Sequence, residues 1–175
     1  HVRIYQNVNG TWTQIGSDID GETADDYSGT SVSLSADGSV VAIGADRNDG
    51  NGQKNSGHVR IYQNVNGTWT KIGDDIDGEA AFDLLGRSVS LSDDGSIVAI
   101  GAYLNDGMNG ENSGHVRIYQ NINDVWTQIG SDIDGESAYD YSGSSVSLST
   151  DDSIVAIGAS NNEGVNGSAS GHVRI

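Results

Sequence analysis

Carboxylates at short, regular spacing are the residues of this chain best placed to do chemistry. Asp18, Asp20 and Glu22 flank Ile19 and Gly21, and the pattern recurs as Asp75, Asp77, Glu79 and as Asp132, Asp134, Glu136. Alternating acids about a glycine turn can converge on a hard cation. Ca2+, which takes about six to eight oxygen ligands, is the candidate cofactor, and these nine acids are its candidate ligands. The same pattern has a plain structural use, because Asp-Gly makes turns and Asp accepts backbone N–H bonds at strand ends. Asn48-Asp49-Gly50 and its equivalents offer a second, weaker grouping of the same kind.

Catalysis finds little support beside this. The chain has no cysteine, and its serines alternate with apolar residues instead of standing at a nucleophile elbow. Every pair of carboxylates recurs in each unit, whereas an enzyme usually builds one asymmetric site. The expectation is a protein that is not an enzyme.

With 25 acids against 8 Lys and Arg, the net charge is −17. Such a surface repels nucleic-acid phosphates and anionic headgroups, so neither nucleic acid nor membrane insertion is expected. It attracts cations and basic proteins, and it also suits a salty medium. No apolar run is long enough for a membrane-spanning helix.

The elements that must position these acids come in copies. HVRIYQN begins at His1, His58 and His115, and HVRI returns at His172, a constant period of 57 residues. The chain therefore reads as one repeat domain over 1–175, with units 1–57, 58–114 and 115–171, and 172–175 opening a fourth. It opens on His1 in mid-motif, as an excised or mature piece would.

Each unit offers four strands. In the second, His58–Asn64 alternates Val59 and Ile61 with His58, Arg60 and Tyr62, and Asn66-Gly67 turns the chain into Thr68–Ile72. A loop, Gly73–Gly86, precedes a hairpin over Arg87–Ala102, turned at Asp94-Gly95, and a second loop follows over Tyr103–Gly114. A short helical turn within Glu79–Leu85 is the one alternative to an all-β reading. Ile97–Ala102 is apolar on both faces, so its sheet must be covered on both sides, with small groups on one face and branched ones on the other. A lone four-stranded sheet of this sort is unstable and must stack. Linear stacking would give a solenoid, whose coils are usually shorter and parallel. Radial stacking gives the expected fold, an all-β β-propeller of four-stranded antiparallel blades, about three in this chain.

The residues then carry a resemblance. Ser28-Gly29, Ser31-Val32, Ile43-Gly44-Ala45 and Ser56-Gly57-His58-Val59-Arg60-Ile61-Tyr62 follow in an order that resembles the FG-GAP repeat of integrin alpha-subunit propellers, and more closely the bacterial and algal variant with near-identical blades. Ser28, Leu85 and Ser142 stand where that family has phenylalanine, and Asp46, Tyr103 and Ser160 where it has proline. The family's calcium loop between its first two strands is reduced here to turns such as Ala36-Asp37-Gly38, too poor in oxygens for the ion. The resemblance implies an extracellular or cell-surface adhesion module that binds a protein or glycan on its loop-bearing end.

That end holds the two long loops of each unit, where the units differ most, at Asp25/Phe82/Tyr139 and Arg47/Leu104/Asn161. Of the once-per-unit residues, histidines at 1, 58, 115 and 172 are expected to face solvent or cap strands, and the matching arginines to meet a tyrosine or a loop carboxylate. Trp12, Trp69 and Trp126 are expected to pack in the core or between blades. Asn9, Asn66 and Asn166 fit the glycosylation acceptor pattern. Three blades are too few to close a propeller, so the open edges are expected to meet further repeats or a second copy in a homo-oligomer. The rival to the adhesion reading is a structural repeat protein of a surface layer or filament.

Overall fold

The computed structural model describes all residues, 1–175, and is built of strands and turns, with one short 3-10 helix at Gly50–Gly52. Tyr5–Val8 (β1) and Thr11–Gln14 (β2) form a two-stranded hairpin. Ser31–Leu34 (β3), Val40–Ala45 (β4), His58–Val65 (β5) and Thr68–Lys71 (β6) follow as an antiparallel meander, joined by Ile76–Asp77 (β7), which pairs with β5. Ser88–Leu91 (β8), Ile97–Ala102 (β9), His115–Ile122 (β10) and Val125–Gln128 (β11) repeat that sheet, with Ile133–Asp134 (β12) on β10. Ser142–Leu148 (β13), Val155–Ala159 (β14) and His172–Arg174 (β15) make the last, three-stranded sheet. The all-β propeller blade expected from the sequence is the observed architecture, as two complete sheets between two incomplete ones.

Side-chain alternation splits each central strand between two cores. Val98 and Ile100 of β9 join Val40, Ala42, Val59, Ile61 and Leu91 between the two complete sheets. Ala99 points the other way and packs with Val116 and Ile157 of the next interface. Val41 and Ile43 of β4 likewise face Ile4 and Ile19. Each sheet is thus too apolar on both flanks to stand in water alone, and stacking is what removes that area from solvent.

Serines of the inner strands tie neighbouring sheets together. The hydroxyls of Ser31 and Ser88 donate to the carbonyls of Gly86 and Gly143, each at 2.7 Å. Ser33 and Ser90 accept from the backbone N–H groups of Leu91 and Leu148 at 2.9 and 3.0 Å. The tryptophans do the same at the outer edge: Trp69 Nε1 donates to Ile15 O at 3.0 Å, and Trp126 Nε1 to Ile72 O at 2.9 Å. These are packing roles between blades, whereas Trp12 stands 67% exposed.

Turn chemistry follows sequence closely. Asn9-Gly10 and Asn66-Gly67 both take positive φ, as a type I′ hairpin requires. Segment 79–85 forms turns and bends with no helix, so the helical alternative is not realised. The two-residue strands β7 and β12 inside the first long loop are an addition to the expected four.

Candidate functional site

The first long loop sets the carboxylates by alternation. In β7, Ile76 turns into the core, and the flanking Asp75 and Asp77 are left on the side of His58, which pairs with Asp77 across the ladder. Asp77 fits beneath the second loop of the preceding unit because residue 50 is glycine: a Cβ there would lie 2.7 Å from Asp77 Oδ1. Burial, followed by the charges of Asp75 and Glu22, raises the Asp77 pKa above its ordinary value.

The three acids of one unit do not meet at a point. Asp18 stays within its own unit, bonded to Arg3 Nε at 2.9 Å and to Gln14 Nε2 at 2.8 Å, and Asp20 offers its backbone carbonyl to Arg60 Nη2 at 2.8 Å. Glu22 instead reaches the next unit, where Glu22, His58 and Asp75 gather with one candidate ligand atom each, all within 4.8 Å. The second junction reproduces this with Glu79, His115 and Asp132. Asp77 and Asp134 line the same two clefts. Glu136 lies near His172, its Oε2 at 3.4 Å from Nδ1, with no second acid beside them.

Histidine is the member of the site that the sequence reading placed differently. His58 and His115 are not solvent-facing: each is 2% exposed, at the first position of β5 and β10, while His1 and His172 are exposed. Their strict spacing was the available signal, but one repeat gives no sign of the neighbouring loop that covers the ring. Burial pushes both imidazoles below the ordinary value, against the opposing pull of Asp75 on His58 and Asp132 on His115, which favours the neutral ring. Arg60 lies 5.7 Å from the Tyr62 ring centre and 3.4 Å from Glu22 Oε1; Arg117 touches Glu79 and stands 3.3 Å from Asp132 Oδ1.

A buried brace holds each loop in place. Asp26 Oδ2 accepts from Thr23 N and Asn48 Nδ2, both at 2.9 Å, and Asp83 and Asp140 repeat the arrangement with Asn105 and Asn162. Around it, Asp25, Tyr27, Phe82, Leu84, Tyr139 and Tyr141 all adopt left-handed backbone, φ +56 to +71°. That conformation is costly for residues bearing a Cβ and persists only where neighbours enforce it. Phe82 N donates to Lys54 O, and Tyr139 N to Glu111 O, each at 2.8 Å. The rings of Phe82 and Tyr139 remain about half exposed at 53% and 45%. The resulting clefts enclose about 540 Å³ at the first junction and 1140 Å³ at the second, the scale of small-ligand sites.

Residues 76–119 match the family model described as FG-GAP repeat. The matched segment runs from β7 into β10 and contains Glu79 and His115 of the second junction. No curated protein matches. Among solved structures, the periplasmic gluconolactonase PpgL of Pseudomonas aeruginosa is similar with a TM-score of 0.54 at 12% identity, covering 92% of this chain and 44% of that one. A candidate 6-phosphogluconolactonase of Bacteroides fragilis is similar with a TM-score of 0.50 at 18% identity, covering 77% of this chain and 33% of that one. The chain spans less than half the length of either, and at such identities the likeness concerns the fold alone.

Proposed function

We propose that this chain is a non-enzymatic, extracellular interaction module whose acidic loop face takes a protein or glycan partner. The observation that carries the reading is the half-exposed Phe82 lining the acidic cleft of the second junction, held in left-handed backbone by the adjoining loop, with Tyr139 its exposed equivalent in the next unit. Strain of this kind concentrates at functional sites, and aromatic residues are enriched at the cores of protein interfaces. The FG-GAP repeat supports an adhesion-type role at the cell surface, and no helix is long and apolar enough to cross a membrane. Lactonase activity is a property of those structurally similar proteins.

The test is binding of the 175-residue chain to an immobilised glycan array and to a panel of Lys- and Arg-bearing peptides. Phe82→Ser and Tyr139→Ser should each weaken the best hit about tenfold or more while the melting temperature holds. Binding that survives both substitutions would sink the reading.

A second reading, self-association, rests on the two outer faces. Trp12, Leu34 and Val32 are 67, 49 and 53% exposed on one, and Val173 is 63% exposed on the other, although their counterparts at inner junctions are packed. A second copy or a further repeat is what fits such faces. Sedimentation velocity across micromolar concentrations tests it; a strict monomer throughout would exclude the copy.

A further inference from the structure

We propose that each junction between consecutive repeats is a binding site for a divalent transition-metal ion, held by Glu22, His58 and Asp75 at the first and by Glu79, His115 and Asp132 at the second. Acidic residues alone would not make this argument. The independent observation is the imidazole: the His58 and His115 side chains are 3% exposed, and each aims Nδ1 at the carboxylates without reaching hydrogen-bond distance. His58 Nδ1 stands 3.8 Å from Asp75 Oδ2 and 4.0 Å from Glu22 Oε2, and His115 Nδ1 stands 3.7 Å from Asp132 Oδ2. Donors about 2.1 Å from a tetrahedral ion lie about 3.4 Å apart, so small inward movements would close the set.

At the first junction the surrounding cations leave one oxygen of each carboxylate facing the ring. Arg60 takes Glu22 Oε1 and leaves Oε2 facing the ring; Lys71 takes Asp75 Oδ1 at 2.6 Å and leaves Oδ2. At the second junction, Arg117 touches Glu79 Oε2 and stands 3.3 Å from Asp132 Oδ1, Gln128 Nε2 donates to that Oδ1 at 2.6 Å, and Asp132 Oδ2 faces the ring. Outer-sphere hydrogen bonds of this kind fix ligand orientation in metal sites. A neutral imidazole with two carboxylates suits Zn2+, Co2+ or Ni2+, whereas Ca2+ takes oxygen alone. Lys71 stands beside the first site where the second has neutral Gln128, and Asp74 stands where the second has Ser131, so these two differences cancel in charge. Removing the Lys71 cation from beside a divalent ion is worth about tenfold in affinity at the first site.

Titration calorimetry of the metal-stripped 175-residue chain with Zn2+ should give two bound ions per chain, one lost in His115→Gln and the other in His58→Gln. Lys71→Gln should raise the affinity of the His58 site about tenfold and leave the His115 site unchanged. Co2+ should give a visible ligand-field band, and Zn2+ should shift the ring nitrogen resonances of His58 and His115 in the unsubstituted protein, a readout independent of whether any variant folds. Absence of saturable Zn2+ binding, unmoved ring resonances, or displacement by equimolar Ca2+ would overturn the assignment.

Discussion

The Asp94 carboxylate is tied into the hairpin it belongs to. Its Oδ1 accepts from Ser96 N and Ser92 Oγ, both at 2.8 Å, while Gly95 alone takes the positive φ. Bonds from the Ser96 hydroxyl and N–H, then from Ser92, hold its pKa below the ordinary 3.8. A carboxylate depressed on folding contributes stability above its unfolded pKa and loses it as pH falls through the folded value. Asp94→Asn should therefore flatten the fall of melting temperature below about pH 4, measured by thermal melts across the acid range. Buried Asp83 has the opposite sign, since burial raises its pKa and its charged form is the costly one. The serines are equally specific: Ser90→Ala strands the Leu148 N–H and should lower stability by about 1–3 kcal/mol in urea unfolding.

Within elements, the period-two pattern predicted the strands, and the turn residues predicted their limits, but contacts between elements select among identical residues. Gly73 and Gly130 are equivalent by sequence and both left-handed, at φ +72 and +75°. A Cβ on Gly73 would come 2.8 Å from both the Asp124 carbonyl oxygen and Trp126 Cδ1, whereas one on Gly130 would meet nothing within 4 Å. Gly130→Ala should cost only the backbone term, about 1–2 kcal/mol. Gly73→Ala should cost about 1–3 kcal/mol more, because the indole must move from its place over Ile72. Chemical unfolding of the two variants side by side measures the difference.

At the scale of the whole molecule, stability resides in the interfaces between sheets. Leu91 is 7% exposed in the central core, and its sequence equivalent Leu34 is 49% exposed on an outer face. Leu91→Ala should cost about 2–5 kcal/mol and Leu34→Ala under about 1 kcal/mol, by urea unfolding midpoints. The net charge of −17 opposes approach of two copies, so the proposed self-association should strengthen as salt rises from about 10 mM to 0.5 M. Weight-average mass by sedimentation equilibrium checks the trend.

Sequence alone determined the repeat, the strands, the hairpin turns and the need for apolar cover on both flanks of Ile97–Ala102. These are legible because period-two alternation and Asn-Gly or Asp-Gly turns act over a few neighbouring residues. It also marked the acids, but grouped them by nearness along the chain. Only the tertiary structure decided that Glu22 belongs with Asp75 of the following unit, and that His58 and His115 are buried between them. The reason is physical: identical units carry identical local signals, and what distinguishes a buried ligand from an exposed side chain is the adjoining sheet that stacking brings over it.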